Sequence, residues 1–188
     1  MTLEEVREQI DALDPGIRDL LMKRMDLSCH VAEAKKASGD FRVYCPDREA
    51  EILEHLGGEV PEERKAPYLA VVRKIMETSR MYQYGLLFDW TEGLFEPLAE
   101  GLFIPEKTEY VRIRLTRPDR PGSMSSVLGM VGDYGFNMKS MTLTEEDPEE
   151  GKVAFELVIR GDLKQRHMQK LMFQLSMECE KFKITEVF

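Results

Sequence analysis

The stretch Leu3–Lys36, LEEVREQIDALDPGIRDLLMKRMDLSCHVAEAKK, decides the first half of the fold. Its apolar positions are Leu3, Val6, Ile10, Leu13, Ile17, Leu20, Leu27, Val31 and Ala34. They recur in steps of three and four, the stripe of an amphipathic helix. The one stripe position between Leu20 and Leu27 is not apolar but Arg24. Pro15 and Gly16 interrupt the pattern, and read locally Asp14-Pro15 is a cap and first turn. The stripe nevertheless keeps its phase across them, which predicts one long helix with a bend. Such a helix, about 34 residues, is roughly 50 Å long, too long for a small globule to bury alone.

Further along, Ser38-Gly39-Asp40 marks a loop, and a short helix is expected from about Asp47 to Leu56. A third helix, about Glu62 to Leu87, carries the stripe Leu69, Val72, Met76, Ser79, Gln83, Leu86, so two polar residues lie on its apolar seam. The helical domain is assigned to 1–90, an apolar connector to 91–107 and a second domain to 108–188. The connector holds Glu92-Gly93-Leu94-Phe95-Glu96-Pro97 and, eight residues on, Glu100-Gly101-Leu102-Phe103-Ile104-Pro105. This repeat predicts two similar turns, packed against one or both domains. After Lys107 the apolar period shortens to that of strands. The order becomes βαββαβ, the ferredoxin-like arrangement, with an acidic turn at Glu145 to Gly151 between its middle strands.

Composition narrows the function. With 26 basic and 35 acidic side chains the chain carries a net charge of −9, so a nucleic-acid surface is not expected. No apolar run approaches the roughly 20 residues of a membrane span, and the acidic N-terminus does not resemble a secretory signal. Cys29, Cys45 and Cys179 are scattered, as are His30, His55 and His167. They read as reduced thiols of a cytoplasmic protein with no metal site.

The polar residues on the helical seams carry the chemistry. Charge on an apolar stripe is costly without a partner. Arg24 and Lys35 lie within roughly 20° of one helix face and about 16 Å apart, able to close on a small ligand between them. Ser79 and Gln83 add a hydroxyl and an amide from one face of the third helix. Arg48 and Glu49 open the second helix. A cationic pocket of this kind suits a ligand with two carboxylates. It can orient a substrate and stabilise charge, with little equipment for covalent or acid–base catalysis.

In order and spacing, Arg7-x-x-Ile10-x-x-Leu13-Asp14, Leu20-Leu21-x-x-Arg24, Ala34-Lys35, Asp47-Arg48-Glu49 and Ser79-x-x-x-Gln83 resemble the active-site motifs of the all-α chorismate mutases. The resemblance implies an intertwined dimer of three-helix chains that rearranges chorismate to prephenate without a cofactor. Arg24 with Ser79 would hold one substrate carboxylate, and Arg7 of the partner chain the other. Lys35 and Gln83 would donate to the ether oxygen. Glu49 would accept the ring hydroxyl, with Arg48 beside it. One position departs: Cys45 stands where many members carry aspartate. Residues 108–188 resemble an ACT domain, a small amino-acid-binding regulatory module, through Arg120-Pro121-Gly122-Ser123-Met124 and Gly135-Phe136-Asn137. That likeness implies an effector, phenylalanine or tyrosine, at Gly122, Ser123, Met124 and Asn137, although the second family motif is replaced by Thr142-Leu143-Thr144-Glu145. The two parts together resemble a bifunctional mutase–dehydratase lacking its dehydratase domain. An isochorismate pyruvate-lyase and a non-catalytic amino-acid sensor stand as alternatives.

Overall fold

The computed structural model describes residues 1–144 and 150–188. The expected acidic turn therefore lies, at 145–149, outside the described residues, and with it Glu145 of the Thr142-Leu143-Thr144-Glu145 segment.

The first helix, α1 (Leu3–Ser38), runs unbroken through Pro15. Thr2 and Glu5 close a capping box at its start, and Gly39 ends it in the left-handed conformation. The second, α2 (Pro46–Gly58), starts on Cys45 with Pro46 in its first turn. The third, α3 (Glu62–Trp90), extends three residues beyond the periodicity estimate. Both α1 and α2 pack on α3. Ala32 is fully buried, while Leu3, Leu13, Leu20 and Leu27 on the α1 stripe are about two-thirds exposed. Thus α1 buries one narrow face against α3 and leaves a long apolar stripe uncovered in the single chain. No helix among the described residues is long and apolar enough to cross a membrane.

The connector makes two turns at Gly93 and Gly101, with φ of 80° and 75°. These left-handed conformations favour glycine, which accounts for the period of eight. Between them lies a 3₁₀ turn at Glu96–Leu98. Phe95 and Leu98 pack against the cores of both parts, so the connector is fixed in place.

The remainder is β1 (Tyr110–Pro118), α4 (Ser123–Asp133), β2 (Asn137–Thr144), β3 (Lys152–Arg160), α5 (Arg166–Glu178) and β4 (Glu180–Val187). The strands form one antiparallel sheet in the order β2-β3-β1-β4, the ferredoxin-like topology anticipated from the pattern. Val111, Ile113 and Leu115 of β1 alternate inward and meet Met168, Leu171 and Leu175 of α5 in a common core. The opposite side of α5 meets α3. Phe173 packs edge-on to Tyr84 with ring centroids 5.9 Å apart and lies 5.7 Å from Phe88. Asp89 of α3 binds Arg166 at 2.8 Å and Lys170 at 2.6 Å on α5. Hydrophobic and ionic contacts thus hold the sheet part against the α3 C-terminal half.

Candidate active site

All three helices of the first part contribute to one site. Arg24 of α1 is half-buried and donates from Nη1 to the Ser79 hydroxyl of α3. Ser79 is 3% exposed and donates in turn to the Ile75 carbonyl at 2.9 Å. Ser28, one turn after Arg24, donates to its carbonyl at 3.0 Å. Burial lowers the Arg24 pKa, and the Glu49 charge opposes that drop, which places the α2 carboxylate within electrostatic reach of the α1 guanidinium. Gln83, one turn on from Ser79, is buried, and its Oε1 has no hydrogen-bond partner among the described residues. A buried amide in that state suits a ligand or a neighbouring chain that supplies the missing contact.

Lys35 lies at the far end of α1, where its Nζ binds Asp40 Oδ2 at 2.7 Å. Asp40 also accepts the Arg42 amide at 3.0 Å. The hydrogen bond from Lys35, then that from the Arg42 backbone, holds the Asp40 carboxyl below its ordinary pKa. The loop from α1 to α2 is secured beyond this point by Tyr84, whose hydroxyl accepts the Val43 and Tyr44 amides at 3.2 and 3.1 Å. Burial raises the Tyr84 pKa, so it remains a neutral phenol. This anchor fixes the approach to Cys45 and the start of α2.

Glu49 has a partner that the sequence reading missed. Its carboxylate accepts from Arg80 Nη1, and Arg80 Nε binds Glu178 Oε1 of α5 at 3.0 Å. The Arg80 guanidinium also covers the Tyr44 ring, 4.7 Å from its centroid. Glu178 Oε1 accepts a further bond from Gln174 at 2.9 Å. Burial opposes the Arg80 charge, but Glu178 and Glu49 more than offset it, and its pKa is raised. Burial likewise pushes the Glu49 carboxyl up, against the Arg80 guanidinium that holds it down. A signal for this bridge existed. Met168, Leu171, Leu175 and Glu178 follow helical spacing, so Glu178 ends an apolar stripe just as Arg24 interrupts one.

The other expected residues lie outside this cluster. Arg7 is exposed, 17 positions before Arg24 and so about 26 Å from it along the helix. Arg48 pairs with Glu51 at 3.1 Å on the surface. Cys45 is exposed and makes no side-chain cap to α2. In the sheet part, Gly122 caps α4 in a left-handed conformation and Ser123 donates to the Pro118 carbonyl at 2.7 Å. Met124 is half-buried against the sheet core, and Asn137 is exposed at the start of β2. Gly122 and Ser123 face the helical part across a cavity that neither Met124 nor Asn137 lines. Among the described residues no group of three His, Cys, Asp or Glu side chains is placed to hold a metal ion.

Residues 6–84 match the family model described as chorismate mutase type II. The helical part therefore carries a chorismate mutase type II domain. The T-protein of Enterobacter agglomerans is 37% identical over 79 residues, which is 41% of this chain and 21% of that protein. The chain thus spans about a fifth of the length of that curated relative. A solved structure described as "GqqA- a novel type of quorum quenching acylases" shares 18% identity at a TM-score of 0.42, covering 47% of this chain and 45% of that one.

Proposed function

We propose that this chain is a chorismate mutase, converting chorismate to prephenate in aromatic amino-acid biosynthesis. The observation that carries the reading is the Arg24–Ser79 contact, inside the segment that matches the mutase family. In the reaction an ether C–O bond breaks as a C–C bond forms within one molecule. No proton or group need leave, so the protein must select the compact substrate conformer and stabilise the developing charge. Arg24 binds one carboxylate, oriented by Ser79. Glu49 accepts the ring hydroxyl. Gln83 and Lys35 donate to the ether oxygen as it gains negative charge, an interaction that strengthens in the transition state and so raises kcat. For this, Lys35 exchanges Asp40 for the substrate.

The second carboxylate requires another cation. Arg7 of the same chain is too distant, so a second copy supplies it. The uncovered α1 stripe, with Ile10, Ile17 and Val31 also about half exposed, supports a homodimer built along α1. The sheet part we read as an ACT-type regulatory domain that responds to phenylalanine or tyrosine. Its ferredoxin-like topology and the Gly122-Ser123 turn at the start of α4 support that reading.

The test is loss of chorismate absorbance with purified protein, followed by product analysis. Prephenate is the expected product. Release of pyruvate would instead identify a lyase, and an unchanged substrate would leave the chain as a sensor.

A further inference from the structure

A cavity of about 600 Å³ separates the helical part from the start of α4, within the size range of small-molecule sites. Arg73, Arg80 and Leu53 border it from the helical side, and Arg117, Arg120 and Gly122 from the sheet side. Arg24, Ser79 and Gln83 do not border it, whereas Glu49 does, so it adjoins the helical seam at Glu49 without including the Arg24–Ser79 contact.

Its charge is unbalanced. Arg80 is already committed to Glu49 and Glu178. The other three guanidinium groups have no carboxylate partner among the described residues. Arg117 is 5% exposed, donates to the Glu178 carbonyl and to the Ser126 hydroxyl at 3.1 Å, and keeps an unpartnered Nε. Arg120 reaches only the Tyr44 hydroxyl, at 3.4 Å. Arg73 is exposed and has no ion pair among the described residues. Facing them are Glu77, which already lies 3.8 Å from Lys74, and Glu49, already bound to Arg80. In a chain of net charge −9, three arginines without a carboxylate partner among the described residues form a local cationic surplus around one cavity. A guanidinium cannot relieve burial by losing its proton, so a buried one without a counter-charge is stabilised by an anion. Planar carboxylates match its forked donors.

We propose that this cavity is a carboxylate-binding site built jointly by the two parts of the chain, with Arg117 and Arg120 on one wall and Arg73 on the other. The site stands on its own geometry, while the choice of natural ligands rests on the mutase reading above. One source is the amino-acid effector, whose ammonium would face Glu77. The other is the dicarboxylate product, whose second acid would reach Arg73. Occupancy bears on the helical seam through Tyr44. Arg120 bonds its hydroxyl, Arg80 and Arg117 lie 4.7 and 5.7 Å from its ring centroid, and Arg80 binds Glu49. A ligand that draws Arg120 away from Tyr44 alters the support of Glu49, and by linkage the seam's ligand alters the cavity's affinity.

Calorimetry on the full chain tests this with phenylalanine, tyrosine and prephenate as separate probes. At least one is expected to bind at millimolar concentration or below. Arg120→Ala or Arg73→Ala, both at exposed positions, should raise the Kd about tenfold or more, the loss of a charged hydrogen bond. Asn137→Ala should not change it. Which probe binds identifies the source. No binding of any probe, unchanged binding in both arginine variants, or loss only on Asn137→Ala overturns the proposal. Binding without mutase activity would leave the cavity standing and remove the seam reading; activity without binding would do the reverse.

Discussion

Replacing Arg80 by methionine tests the ionic bridge between the two parts. The Glu178 side chain is fully buried and Arg80 is nearly so, whereas Glu49 retains some exposure at 24%. Removing the guanidinium leaves the buried Glu178 side chain without its counter-charge. Losing one member of a buried pair costs about 3–5 kcal/mol. For a chain of this size that corresponds to a fall in Tm of roughly 6–20 °C. Glu49 contributes less, because it can turn toward water. The double variant Arg80→Met with Glu178→Met removes both charges and fills similar volume. It should recover most of the loss, short by about 1 kcal/mol for the acceptor that Gln174 no longer has.

Thermal and denaturant unfolding of the four proteins in this cycle give the coupling directly. A loss below about 1 kcal/mol for Arg80→Met, well under the range for a buried pair, would refute the reasoning. So would a double variant no more stable than the single one, because an unpaired buried charge would then not be the cause. The same variants carry a kinetic arm. Freed from Arg80, Glu49 should bind the substrate hydroxyl with altered KM if the two compete.

Three further outcomes follow from the site. Lys35→Ala should lower kcat about 100- to 1,000-fold with little change in unfolding, since its contact forms mainly in the transition state; near-wild-type turnover would remove it from the site. Mixing inactive Arg7→Ala and Arg24→Ala chains should restore activity after subunit exchange, because a hybrid dimer holds one intact site; no recovery would place Arg7 elsewhere. Glu49 should set an acid limb in kcat/KM above the ordinary glutamate pKa of 4.5, as burial raises its pKa, with activity lost as pH falls through that raised value and the limb absent in Glu49→Gln. Stability runs the other way: the folded state binds this proton more readily than the unfolded one, so ionised Glu49 destabilises the fold above its raised pKa, and acidification through that window relieves the penalty.

The sequence made the local features readable and left the long-range ones hidden. The α1 stripe survived Pro15 because phase, not any single residue, determines which face is buried. Arg24 and Ser79 were visible as polar exceptions on apolar seams, and they are in contact. The turns at Gly93 and Gly101 were visible as a repeat. Arg80 was not visible, because its burial comes from α5 packing on α3. Its partner Glu178 is 98 positions away; helical spacing marks Glu178 as a polar residue on an apolar stripe but does not say which cation it meets. Lys35 and Asp40 show a different limit. They are five residues apart, but the apolar stripe records only the helix face on which Lys35 lies, not the acid that holds it.

The packing of the sheet part also bears on assembly. It takes the face of α3 that carries Tyr84, Leu87 and Phe88, through Phe173. The α1 stripe from Leu3 to Val31 stays uncovered although the sheet part is in place. A second copy along α1 and the sheet part on α3 therefore use different surfaces, and the proposed dimer needs no displacement of the sheet part. The exposed Arg7 lies at the N-terminal end of that open stripe, where a crossing partner helix can carry it to a distant Arg24. The arginine cavity is bordered by α2, α3 and the start of α4, and by no residue of α1. A ligand there can act on each seam through Tyr44, Arg80 and Glu49 of its own chain, while in the proposed dimer the second carboxylate of the substrate depends on the partner. The proposed dimer and the proposed carboxylate site therefore draw on different residues, and a variant that blocks one leaves the other open to measurement.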